Sequence, residues 1–102
     1  MNGYLNVGAS EFISKKITLN RRAKLSGSFR TSQMRATVEV LVVKEEEFEK
    51  LNTGLDPASL AKTNYVPGGK INVVLDPGTY FLIIDNRKND QPRSVFTDIN
   101  LE

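Results

Sequence analysis

The chain contains no cysteine, no histidine and no tryptophan. Without cysteine there is neither a disulfide framework nor a thiolate nucleophile, and the redox compartment cannot be read from the sequence. Without histidine the commonest general base and the commonest transition-metal ligand are gone, so any catalytic chemistry must rest on carboxylate, lysine or tyrosine groups. Zinc and haem sites are disfavoured for the same reason, and no cofactor is expected. Long apolar runs are missing as well: nothing approaches the roughly 18 residues of a membrane-spanning helix, and the N-terminus lacks the basic-then-apolar layout of a signal peptide. There is no nucleophile motif and no spaced D-x-D-x-D run, so neither a hydrolase nor a calcium loop is indicated.

What is present is an ordinary globular composition, with 39% hydrophobic and 25% charged residues in 102, far from the polar extreme at which chains stay disordered. The length fits one domain, residues 1–102, and such a domain buries roughly two thirds of its unfolded surface. The opening "MNGYLNVGAS" reads as a start methionine placed before a segment already inside a fold. Leu101 and Glu102 match the pair that a common cloning site leaves before a purification tag. The expectation is a domain excised from a larger protein, with its localisation open.

Lysine and arginine number 14 against 12 aspartates and glutamates, a formal charge of +2. That balance is mild for a nucleic-acid binder. The charges are uneven, however. "KKITLNRRAK" holds Lys15, Lys16, Arg21, Arg22 and Lys24, whereas "KEEEFEK" gathers Glu45, Glu46, Glu47 and Glu49.

Period-two alternation recurs between Gly, Pro, Asn and Asp punctuation, the pattern of successive half-buried strands. In "FISKKITLN", Ile13, Ile17 and Leu19 share a parity that Lys15 interrupts. In "AKLSGSFRTS", Leu25, Gly27 and Phe29 oppose Lys24, Ser26, Ser28 and Arg30. "TVEVLVV" is apolar on both parities and rich in β-branched residues, which predicts a central strand covered on both sides. The period then changes. Phe48 and Leu51 stand three apart among helix formers, so one or two helical turns are expected over 45–51, folding Phe48 over an edge of the core.

"SLAKTNYV" reads as a weak edge strand and "PGG" at 67–69 as a tight reversal. "KINVVL" is a further strand, and "DPG" at 76–78 carries type II turn chemistry, with Pro and Gly at the two central positions. "TYFLIID" is apolar on both faces, and "RSVFTDINL" alternates again after a polar loop. The fold class expected is all-β, an antiparallel β-sandwich of about seven to eight strands with one short helical turn, and a small barrel is the competing architecture.

Three stretches resemble the GOLD-type β-sandwich domains, especially their bacterial accessory modules. They are "KLSGSF" (24–29), "VEVLVVKEEEFEKLNTG" (38–54) and "INVVLDPGTYFLIIDN" (71–86), the last being the most specific. The departures fall in loops: "TSQMRA" stands where the pattern has Gly, Asn and Asp, and Leu51 replaces an aromatic. The resemblance implies an immunoglobulin-like sandwich that serves as a binding or adaptor module, and it brings no catalytic residues.

Three constellations could carry chemistry. "DNRKND" at 85–90 offers oxygen ligands for Ca²⁺ or an anion pocket at Arg87 and Lys88, but Asn and Asp at a strand exit more simply fold side chains onto the backbone. The basic stretch offers a docking patch for anions, yet Lys15 and Lys16 must point to opposite faces and no aromatics are interleaved for bases. The consecutive glutamates splay around a helical turn instead of framing a cleft. Tyr4, Tyr65 and Tyr80 are weighed as a carbohydrate platform and read instead as caps of core edges.

The functional expectation is a non-enzymatic interaction module that presents loops or an open sheet edge to a protein partner or a neighbouring domain. The alternative is an anion or membrane-surface binder using Arg21, Arg22, Lys24, Arg87 and Lys88. Nucleic acid is disfavoured.

Overall fold

Alternating side chains sort the chain into two layers in a computed structural model that describes residues 1–33 and 35–102. Met34, within the "TSQMRA" loop, lies outside the described residues. The elements run β1 (Asn2–Val7), β2 (Phe12–Leu19), β3 (Ala23–Thr31), β4 (Val38–Lys44), α1 (Glu45–Asn52), β5 (Ala61–Val66), β6 (Gly68–Leu75), β7 (Gly78–Asp85) and β8 (Arg93–Leu101). One four-stranded sheet has the order β1-β8-β3-β6 and the other β2-β7-β4-β5. Every strand pair is antiparallel. Two separate sheets face to face make a sandwich, so the expected fold class holds and the barrel does not.

The core lies between the sheets. Leu25, Phe29, Ile71, Leu75, Val95 and Ile99 from the first sheet meet Ile17, Val38, Val40, Val42, Tyr80, Leu82 and Ile84 from the second. These are the parities that the alternation assigns inward. Gly27 is needed at the centre of the first sheet. Its φ is +154° and a Cβ there would sit 2.6 Å from the Ile99 Cα, so β3 and β8 approach closely only because that side chain is missing.

A second apolar cluster covers the outer face of the second sheet. Leu41 and Val43 of β4 and Phe12, Phe81 and Ile83 pack with Phe48 and Leu51 of α1. Phe48 stacks on Phe81 with ring centroids 3.9 Å apart, and Phe12 meets Phe48 edge-on at 6.0 Å. The helix therefore lies across the face of the sheet, where sequence reading placed Phe48 over an edge. Glu45, Glu46 and Glu47 occupy its first turn, the end that the helix dipole favours for negative charge. It closes with Gly54 N–H donating to Leu51 O and Leu55 N–H to Lys50 O, around Gly54 at φ +79°, a Schellman arrangement.

The structure departs from the sequence reading in two further places. Asn2–Val7 is a strand, paired with β8 from Asn2↔Asp98 to Val7↔Arg93, although only Leu5 and Val7 mark its inward parity. At "DPG", Gly78 has φ +153°, well beyond the roughly +80° of a type II turn. The bend is tied instead by the Tyr80 hydroxyl, which donates to Asp76 O at 2.7 Å. At the chain's end, Leu101 continues the ladder opposite Leu25, and Glu102 exchanges both backbone hydrogen bonds with Lys24.

Candidate functional site

The polar cluster after β7 begins with a charge buried by strand geometry. Asp85 is the last residue of β7 and shares the outward parity of Phe81 and Ile83, so it lies under the covered face and is only 1% exposed. Arg87 neutralises it at close range: its Nε donates to Oδ1 at 3.0 Å, its Nη2 to Oδ2 at 3.0 Å, and its backbone N–H to Oδ1 at 2.9 Å. Asp56 adds a contact to Nη2 at 3.2 Å. Hydrogen bonding to Asp85 holds the Arg87 guanidinium above its ordinary pKa. A planar fork matched to a carboxylate is geometry that arginine supplies and lysine cannot.

Two neighbours respond to the same burial. Glu39 faces both Asp85 and Tyr65 across the strands. Burial raises its carboxyl above the usual range, partly offset by the Lys62 ammonium at 3.9 Å. The Tyr65 phenol is pushed up to about 12, chiefly by burial. Its ring carries the Lys88 ammonium 5.5 Å above it, and its oxygen accepts from the Lys88 backbone N–H at 3.3 Å.

Asn86 and Asn89 act as fasteners. The Asn86 side-chain amide donates to Gly8 O and Gln91 O at 3.0 and 2.9 Å, and its backbone N–H donates to Glu11 O. Asn89 Nδ2 donates to Asn86 Oδ1 and to Thr37 O, while Asn89 O accepts from the Ser10 N–H. Three loops are thereby joined at one end of the sandwich. With Asp85 occupied by a guanidinium and the asparagines spent on backbone, the cluster is built as a clamp. Among the described residues no group of three His, Cys, Asp or Glu side chains is placed to hold a metal ion.

The five basic residues singled out from the sequence do not gather. Leu19 pairs with Gly78 and Phe12 with Asp85, so Arg21 and Arg22 follow β2 at one end of β7 while Arg87 and Lys88 follow the other. The eight residues of β7 separate the two groups by about 24 Å at strand rise. Arg22 lies 3.7 Å from Asp76 at an exposed turn, and Lys24 is the second residue of β3 beside it. Arg87 is committed to Asp85 and Asp56. The three tyrosines are also dispersed, with Tyr80 in the core and Tyr4 and Tyr65 on the outer faces of different sheets.

What the sequence reading missed is the outer face of the first sheet. Register places Tyr4, Phe96 and Arg30 in one row across β1, β8 and β3. Tyr4 is 65% exposed and meets Phe96 edge-on at 5.1 Å, and the Arg30 guanidinium lies 5.2 Å over the Phe96 ring. The next rows hold Asn2, Asp98, Ser28 and Lys70, then Asn100, Ser26 and Asn72. α1 packs on the opposite layer and leaves this face uncovered. No local pattern announces the row, because Tyr4 and Phe96 come from the two ends of the chain. Compared with known families and with curated proteins, the chain matches no family model and no curated sequence.

Proposed function

We propose that this β-sandwich is a non-enzymatic interaction module, GOLD-like as the sequence resemblance implies, and that it docks a protein surface rich in carboxylates onto the outer face of its first sheet. The observation that carries this reading is the asymmetry between the two outer faces. One is filled by α1 and the Asp85–Arg87 clamp, whereas the other exposes a Tyr4–Phe96–Arg30 row. Aromatic and arginine side chains are the residues that most often dominate binding energy at protein interfaces. Lys24, Arg30 and Lys70 share that face with Asp98 and Glu102, and with Glu102 set opposite Lys24 the unbalanced positive charge falls on the side of Arg30 and Lys70, complementary to acid there.

Strand addition at the edges of the second sheet has less support, since β2 carries Lys15 and Lys16 at mid-strand and β5 is interrupted at Asn64, with φ +63°. An anionic membrane surface also has less support, because the cations that would bind it fall at two ends. The test is photocrosslinking in cells from a probe residue at Tyr4, with Thr18 on the other outer face as control, followed by purification of the captured partner. The reading requires an acidic partner enriched at Tyr4 and a roughly tenfold loss of its affinity in Arg30→Glu. Equal capture at Thr18, or affinity unmoved by Arg30→Glu, would refute it.

A further inference from the structure

At the Asp85 end of the sandwich, beside the start of β8, lies a cleft of about 270 Å³ lined by Asn6, Thr31, Ser32, Gln33, Arg93 and Ser94 with Ala36 and Pro92. Its chemistry is one-sided. Arg93 is the one charged residue in the lining, and no carboxylate accompanies it. The Arg93 Nε is buried and has no acceptor among the described residues, while Nη1 reaches only the neighbouring Pro92 O at 3.2 Å. Burying a guanidinium N–H without a partner is costly, and native structures seldom leave one so. Elsewhere in the lining, the side chains of Asn6, Ser32, Gln33 and Ser94 make no hydrogen bonds among the described residues. Thr31 is different, since its hydroxyl is spent on backbone oxygens of Gln33, Ala36 and Pro67.

An orphan guanidinium N–H beside a cleft that is free of competing carboxylates and holds uncommitted hydroxyl and amide groups in its lining is a receptor in search of an acceptor. We infer that this cleft binds an oxyanion, either a phosphate or a carboxylate carried by a small ligand, with Arg93 as the charged contact and the loop residues Ser32 and Gln33 as neutral donors. The volume, at the small end of ligand sites, suits such a group with little attached. Arginine recognises both oxyanions through charge-assisted hydrogen bonds. The cleft borders the proposed docking face, because Asn6 and Ser94 share the outward parity of Tyr4 and Phe96, but its charged contact lies apart from it: Arg93 and Thr31 belong to the inward parity of their strands, and no residue of the Tyr4–Phe96–Arg30 row lines the cleft.

The experiment is an NMR titration of the isotope-labelled protein, following the Arg93 side-chain Nε–H signal and the backbone amides of residues 31–33 and 93–94. Inorganic phosphate and sodium acetate are added separately at constant ionic strength. Saturable shifts centred on Arg93 with phosphate alone assign a phosphoryl ligand, and saturable shifts with both assign a site that also accepts carboxylates. In Arg93→Gln, which leaves a shorter polar side chain without the charge, the affinity falls at least about tenfold. Ser32→Ala with Gln33→Ala weakens it severalfold with the charge intact. Shifts that fail to saturate by about 100 mM, or that persist unchanged in a folded Arg93→Gln protein, overturn the inference.

Discussion

Glu39 and Asp85 face each other across β4 and β7 on the same side of the sheet, yet only Asp85 is gripped by a guanidinium, through three hydrogen bonds from the Arg87 side chain. Removing one member of a buried pair strands the other charge, at a cost of about 3–5 kcal/mol. Arg87→Ala is therefore expected to lower urea-unfolding stability by at least about 3 kcal/mol. The double variant Asp85→Asn with Arg87→Met should recover much of that loss, because the charge is then gone from both sides. Equal stabilities for the single and double variants would show that the clamp is held by its neighbours and not by the pair.

Glu39 gives the opposite dependence on pH from an ordinary paired carboxylate. Its carboxyl titrates above the ordinary 4.5 in the folded state because burial penalises the anion. The folded protein thus binds this proton more tightly than the unfolded chain does. Its contribution to stability is full below the unfolded value and is lost as pH rises through the raised folded value. Glu39→Gln removes that dependence. Between about pH 4 and pH 7 the stability of the variant relative to the parent should climb, as measured by denaturant unfolding at several pH values. A difference that stays flat would mean that the Lys62 ammonium fully offsets the burial.

Tyr65 carries the same sign into alkali. Its phenol is held neutral up to about 12 in the folded protein against an ordinary 10.0, so its contribution is complete below the lower value and disappears as pH rises through the higher one. The tyrosinate absorbance of the native protein should show a late step near 12 that Tyr65→Phe deletes. A folded protein whose Tyr65 ring signals titrate near 10 would contradict the burial that the geometry gives it.

Strand positions were legible wherever alternation was strong. β4 and β7, apolar on both parities, read as doubly covered strands, and the structure supplies the sandwich core on one side and α1 on the other. The same doubly covered reading held an unused signal: Glu39 at an outward position of such a strand demands a partner, and so does Asp85. β1 was hidden because Asn2, Tyr4 and Asn6 fill its outward positions and Gly3 takes one of its inward ones, and its pairing with β8 joins the two ends of the chain. Long-range register hid the candidate surfaces too. Tyr4, Arg30 and Phe96 have unremarkable neighbours in sequence and become a row only after β8 inserts between β1 and β3. The basic cluster misled for the converse reason, since nearness in composition says nothing about which end of a strand a turn occupies.

Two glycines in the first sheet separate a steric requirement from a conformational one. Gly3 and Gly27 both have positive φ, +94° and +154°, but a Cβ at Gly3 would meet nothing within 4 Å, while one at Gly27 would press on the backbone of Asp98 and Ile99. β3 pairs with β8 on one side and β6 on the other at this position, so the backbone cannot retreat without opening a ladder. Gly3→Ala should cost about 1 kcal/mol, the penalty of the backbone conformation alone. Gly27→Ala should cost at least about 3 kcal/mol and bring fast amide exchange at Ile99 and Ile71, the two residues paired with it. Equal losses in the two variants would mean that φ and not the approach of β8 selects glycine at 27, and β3 would then have room for a side chain.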